Sequence, residues 1–141
     1  MTSLRALGAP LLIDSYALPE RVVRNPLVAQ MVKGLAPLGL VGLGVLPGPL
    51  RYPIGVARPL RGPSDYAGLR IGVPQSRVGS ATIRALGGTP VGFGSGAPIA
   101  GLDGIEGGIS LIEGLQNGRA GGYLTGNVVL WPRPLVVFAS R

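Results

Sequence analysis

The 141-residue chain carries 13 lysines and arginines against 6 acidic residues, a net charge of +7, and is 46% hydrophobic but only 13% charged. That length and apolar content allow one domain with a sizeable core and exclude a disordered chain. With no cysteine and no histidine, the sequence excludes disulfide frameworks, thiolate and H-E-x-x-H metal sites, and Ser-His-Asp or Cys-His catalysis; no cofactor is expected.

In chain order, Leu11-Leu12-Ile13 reads as a buried connector ended by Asp14-Ser15. Pro19 suits the first turn of a short helix running to Arg24, and Asn25-Pro26 reads as N-cap and first residue of a second helix. Leu27, Val28, Met31, Val32 and Leu35 share one face of it, with Gln30 and Lys33 opposite, until Pro37 and Gly39 stop it. Leu40 to Leu46 is nearly continuous in Leu, Val and Gly, the pattern of a parallel strand covered on both faces. The uncharged window from Gly34 to Leu50 is not a direct membrane span, because Pro37, Pro47, Pro49 and its glycines break it. After the Pro47-Gly48-Pro49 turn, Arg51 to Val56 reads as the next strand.

The stretch from Pro63 to Val91 organises the rest. Pro63-Ser64-Asp65-Tyr66 begins a one-turn helix, and Leu69, Ile71 and Val73 form a buried strand between Gly68 and Pro74. Ser76 is placed to cap a helix whose stripe is expected at Val78, Ala81, Ala85 and Leu86, with Gly87-Gly88 as its stop. A helix that starts just beyond a strand's carboxyl end points free N–H groups into the crevice where open α/β sheets bind ligands, which favours an anion.

Beyond Val91, Gly92-Phe93-Gly94-Ser95-Gly96 lacks both the G-x-G-x-x-G spacing and the Gly-Lys-Ser/Thr ending of nucleotide loops. Ile105 to Gly108 reads as a short strand, followed by a helical stripe at Ile109, Ile112 and Leu115 ending at Asn117-Gly118. Gly122 to Leu130 and Leu135 to Ala139 read as two further strands, separated by Pro132 and Pro134. The arginines are dispersed, with no run of three and no aromatic series beside them, so no nucleic-acid partner is expected.

The pattern D-x-x-G-L-R-I-x-V-P-Q-S from Asp65, followed by A-L-G-G-x-P-V from Ala85, resembles the central segment of the solute-binding proteins of TRAP (tripartite ATP-independent periplasmic) transporters. Arg58-Pro59 and Leu102-Asp103-Gly104-Ile105-Glu106 extend the resemblance. It implies an α/β fold of the type II periplasmic-binding-protein kind, with a short mixed sheet flanked by helices, incomplete relative to the family. Residues 1–141 would form one partial unit: 1–50 joining the first lobe, 51–141 supplying the second-lobe core and return strands. The N-terminal sequence has no signal peptide, and a part of a longer protein is expected.

The resemblance implies a non-enzymatic receptor that binds a small anionic organic solute and delivers it to membrane permease subunits, in the periplasm or at the cell surface. It places Arg51 where the family has a ligand-facing arginine, able to hold a carboxylate through two charge-assisted hydrogen bonds. Gln75, Ser76 and Arg77 stand at the crossover turn, Glu106 at the family's glutamate, and Asn127 and Trp131 in the cleft wall. Arg51 and the start of the helix after Pro74 are expected to meet at one hollow. Gly72 replaces a family arginine that clamps the ligand carboxylate, and Arg70 is not expected to take its place, because strand alternation is read as pointing it to the opposite face. Gly107-Gly108 replaces the family's Asn-Pro, and the helix after Phe93 is expected to be broken. Two alternatives stand beside this reading: an α/β fragment that binds nothing, and a small enzyme using Asp103 and Glu106 as a carboxylate pair.

Overall fold

A computed structural model describes Leu4 and residues 6–94, 96–111, 122–126 and 128–140. The chain forms two compact units. The first is Met1–Leu50 with Trp131–Arg141, and the second is Arg51–Leu130.

In the first unit, α1 (Ala17–Val23) is followed by α2 (Pro26–Lys33), whose start is built as the sequence dictates. Asn25 has extended backbone and its Oδ1 accepts from the Leu27 N–H at 2.9 Å, while Pro26 occupies the first helical position, where no N–H is required. Val28 and Val32 of α2 pack on Val45 of β1 (Leu40–Leu46). Leu27, expected on this face, is 57% exposed, because the buried stripe runs Val28, Val32 and then Leu35.

Strand β1 forms where expected but is not a parallel strand covered on both sides. It pairs antiparallel with β8 (Leu135–Ser140), from Leu40 opposite Ser140 to Leu46 opposite Leu135, with an irregularity between Gly42 and Gly44. One face carries Val45 toward the helices, while Val41, Leu43 and Leu46 are exposed on the other. This pairing also places residues 131–141 in the first unit, where the sequence reading had grouped them with the second. The connector residues Leu11 and Leu12 are exposed rather than buried, and only Ile13 is enclosed. Leu11 adopts a left-handed backbone (φ 56°), which turns the chain there.

The second unit is a mixed sheet in the order β4-β3-β5-β2-β6. Here β2 is Leu50–Gly55, β3 Arg70–Val73, β4 Thr89–Gly92, β5 Gly104–Gly107 and β6 Tyr123–Leu124. Strand β3 lies parallel to β4 and β5, whereas β2 runs antiparallel to both β5 and β6. Helix α3 (Arg77–Ala85) crosses from β3 to β4, and Ser76 Oγ accepts from the Gly79 N–H at 3.2 Å to cap it. Its end is a Schellman turn: Gly87, at φ 89°, donates to Arg84 O, and Gly88 donates to Ile83 O. The buried side of α3 is Gly79 and Ile83, not the expected Val78, Ala81 and Ala85, which are exposed. Ile83 and Ile71 both close on Gly88, so the helix turns toward the sheet the stripe that carries its larger apolar side chain.

Among the described residues of the expected segment Gly122–Leu130, Tyr123–Leu124 alone are strand, and a two-residue β7 (Trp131–Pro132) follows. Residues 109–111 begin a helix, but the expected stripe at Ile112 and Leu115 and its end at Asn117-Gly118 lie outside the described residues. Among the described residues no helix is long and apolar enough to cross a membrane.

Before β3, the 3-10 turn Pro63–Tyr66 is closed by Asp65, whose Oδ2 accepts from the N–H groups of Arg61 (2.8 Å) and Gly62 (3.1 Å). These two hydrogen bonds, that of Arg61 first, hold the Asp65 carboxyl below its usual range, with the nearby arginine charges adding and burial opposing. Burial, and after it the Asp65 charge, pushes the neighbouring Tyr66 phenol up to about 12. A folded-state pKa below the unfolded one stabilises above the unfolded value of about 3.9 and is lost as pH falls through the folded value. Thermal melts of the wild type and Asp65→Asn should therefore show a wild-type advantage that is constant above about pH 5 and shrinks as the pH falls below the unfolded pKa. An advantage unchanged at the acid end would contradict this.

Candidate functional site

Strand directions gather the candidate residues of the second unit at one edge. Strands β3, β4 and β5 end there, and β2 begins there, because its Tyr52 is opposite Gly107 of β5. Arg51 and Pro53 share a face by strand alternation, and Pro53 is opposite Glu106, so Arg51 and Glu106 lie on one side of the sheet. Ile71 is opposite Gly104, which places Ile71 and Val73 on that same side, the side covered by α3.

Arg51 and Glu106 form a two-pronged ion pair. Arg51 Nε donates to Glu106 Oε2 at 2.6 Å and Nη2 to Oε1 at 3.0 Å, with a longer contact from Nη2 to the Glu106 carbonyl at 3.3 Å. The carboxylate side chain is wholly buried and that of arginine is 15% exposed. Fork-to-fork geometry leaves Nη1 of the guanidinium unclaimed among the described residues. The pair is electrically neutral, so it presents donors in a fixed plane rather than a free positive charge.

At the same edge, the end of β3 and the start of α3 enclose a hollow of about 510 Å³. Gln75, Ser76 and Arg77 line it, and all three are exposed. Ser76 is already occupied as a cap, so its Oγ has limited capacity for a ligand. Ser80 and Arg84, which the sequence reading missed, line the hollow too. The signal was present, since positions 77, 80 and 84 recur at i, i+3 and i+7 on one helix face. Neither Arg51 nor Glu106 lines this hollow. Strand β5, which carries Glu106, separates β2 from β3, so Arg51 and the hollow share an edge and a face but their strands stand two spacings apart, about 10 Å.

Asn127 lies outside the described residues, and Trp131 is half-buried in the first unit. Asp103 and Glu106 do not form a carboxylate pair: Asp103 precedes β5, where its Oδ2 accepts from the Arg70 N–H at 2.8 Å, while Glu106 faces Arg51 near the other end.

Gly72 is on the opposite face of the sheet. A Cβ there would lie 2.9 Å from both Ile105 Cγ2 and Leu102 Cδ1 and 3.0 Å from Phe93 Cβ. These residues belong to an apolar cluster with Ile54, Val91, Ile99 and Leu111. The segment after Phe93, without a helix in its described residues, folds back as turns that bring Leu102 over the sheet. Arg70 lies on the same face as Gly72, two residues toward the other edge, with Nη1 near Gly101. Its distance from the carboxyl edge, not its facing, keeps it from taking the place of a side chain at 72.

No protein-family model matches the chain, and no curated protein does. Solved structures do. A TRAP periplasmic solute-binding protein from Ochrobactrum anthropi, with its C-terminus bound in its ligand-binding pocket, is similar at TM-score 0.85 and 26% identity, over 99% of this chain and 45% of that one. A TRAP periplasmic solute-binding protein from Fusobacterium nucleatum with bound sn-glycerol-3-phosphate is similar at 0.78 and 26%, over 99% and 47%. A third, from Pseudomonas aeruginosa with bound L-malate, is similar at 0.78 and 19%, over 99% and 50%. The class defined is an α/β fold shared with solute-binding proteins. Within it, the fold is that of the TRAP periplasmic solute-binding proteins, and the chain spans about half the length of the structures it matches.

Two substitutions test the geometry. Gly72→Arg should destabilise by ~1–3 kcal/mol in urea unfolding, because it overpacks the Ile105–Leu102–Phe93 contact. An unchanged midpoint would show that this face opens freely. Arg51→Ala should cost ~3–5 kcal/mol by leaving a buried carboxylate unpaired, whereas the paired replacement Arg51→Met with Glu106→Leu should cost much less. Equal losses in both would mean that the charge itself is not what the site guards.

Proposed function

We propose that this chain supplies the solute-cradling part of a TRAP-type receptor for a small anionic organic solute, such as a carboxylate, and that it performs no chemistry. The reading is supported chiefly by Arg51, held rigid by a fully buried glutamate at the carboxyl edge of the sheet. A guanidinium whose plane is preset loses little freedom on binding, so its remaining Nη1 donors can be directed at a solute oxygen. Arg77 and Arg84, further along the edge, contribute positive charge that the neutral Arg51–Glu106 pair does not. The site therefore selects by donor geometry at one end and by charge at the other. Delivery to membrane permease subunits and a periplasmic or cell-surface location belong to the same proposal, as do contributions from Asn127 and Trp131.

A second reading, an α/β fragment that binds no solute, is favoured by one observation: the apolar packing over Gly72 leaves no place for a second clamping arginine on that face. Isothermal titration calorimetry with succinate, L-malate and galacturonate separates the two. The receptor reading expects saturable binding of at least one acid, weakened at least about tenfold when Arg51→Met is combined with Glu106→Gln. Binding of none by the folded chain supports the fragment, and undiminished binding by the double variant removes Arg51 from the solute site.

A further inference from the structure

The β1–β8 ribbon of the first unit has one covered face and one bare face. By register, Gly42 with Phe138 and Val45 with Val136 belong to the inner face. A Cβ at Gly42 would collide with Val32 of α2, and Val45 and Val136 pack in the cluster around Val28 and Val32. Val41 with Ala139, Gly44 with Val137 and Leu46 with Leu135 therefore make up the outer face. Leu43, left without an opposite residue by the irregularity between Gly42 and Gly44, joins them.

Val41, Leu43, Leu46, Leu135 and Val137 are 37–64% exposed. A Cβ at Gly44 would meet no atom within 4 Å, so the middle of this face is bare among the described residues. A contiguous apolar surface of this kind marks an interaction site rather than the scattered exposure normal for a soluble protein.

Two features point to a second copy of the chain as the occupant. The first is charge. The chain carries +7, so two copies repel, yet neither β1 nor β8 contains a charged residue, and a contact made through them sets no like charges opposite each other. The second is shape. Leu43 is the most exposed side chain of the face and stands directly beside Gly44, which has none, so a knob and a notch are neighbours. A two-fold axis through the face brings the knob of each copy over the notch of the other, which makes the surface complementary to itself.

We infer that the outer face of the ribbon is a dimer contact, in which two copies pack ribbon to ribbon with Leu43 of each over Gly44 of the other. Six paired positions give a face roughly 20 Å long and about 10 Å wide, at the low end of specific interfaces, so the dimer is reversible rather than obligate. The inference stands apart from the receptor reading, because none of its residues belongs to the second unit.

Sedimentation velocity on the full chain, from about 1 to about 200 µM, tests it. A monomer–dimer equilibrium with Kd on the order of 10 µM is expected. Leu43→Lys should weaken it at least about tenfold, and so should Gly44→Ile, which fills the notch without touching anything in the monomer and leaves the thermal melt unchanged. Leu27→Lys, at an exposed apolar position of α2, should leave it intact. Raising the salt from about 50 to about 500 mM should strengthen the dimer, because it screens the repulsion between two basic chains. Four results overturn the inference: a chain that stays monomeric throughout, an association unaffected by Leu43→Lys, an association strengthened by the added apolar surface of Gly44→Ile, or an equal loss in Leu27→Lys.

Discussion

A carboxylate with no exposure to water cannot remain ionised without a counter-charge, and Glu106 has one in Arg51. Much of the second unit follows from that constraint. Glu106 is near the end of β5 and Arg51 at the start of β2, so satisfying the charge requires these strands to run antiparallel in the observed register, with Pro53 opposite Glu106. Because β5 is also parallel to β3, the same pairing brings the start of β2 to the edge where α3 begins. A buried ion pair gives little net stability against an apolar pair of the same shape. Its effect here is on register and orientation: it determines where a guanidinium stands and which of its donors are left.

The opposite face of the sheet obeys a different constraint. Gly72, Ile105 and Ile54 lie side by side across three strands, and Leu102 and Phe93 close over them. Removal of apolar surface from water favours that closure, and a glycine at 72 makes it sterically possible. One face of the sheet is consequently a packed core, and polar chemistry is confined to the α3 side and to the strand edges. The arginines that matter, Arg51, Arg77 and Arg84, all stand on the polar side.

The first unit depends on long-range pairing. Strands β1 and β8 lie nearly a hundred residues apart in sequence. Their ribbon gives Val28 and Val32 of α2 something to cover. A two-stranded ribbon is marginal by itself, and the helices on its inner face provide the burial it needs. Its outer face keeps Val41, Leu43, Leu46, Leu135 and Val137 accessible.

Local chemistry was legible in the sequence, and non-local partners were not. The Asn25-Pro26 start, the Ser76 cap, the Gly87-Gly88 stop, the turn at Pro63 and the bounds of β1 are decided by neighbouring residues, through caps, fixed φ angles and tolerance of left-handed backbone, and each could be read before any fold was known. Arg51 and Glu106 were both visible as candidates, but the fact that they bind each other was not, since 55 positions separate them. The same holds for the antiparallel partner of β1, for the side of α3 that turns inward, and for the filling of the space at Gly72. Pattern shows which residues are apolar or charged. Tertiary structure alone decided which apolar surfaces meet and which charges are spent on each other, because both depend on contacts between distant segments that no local periodicity encodes.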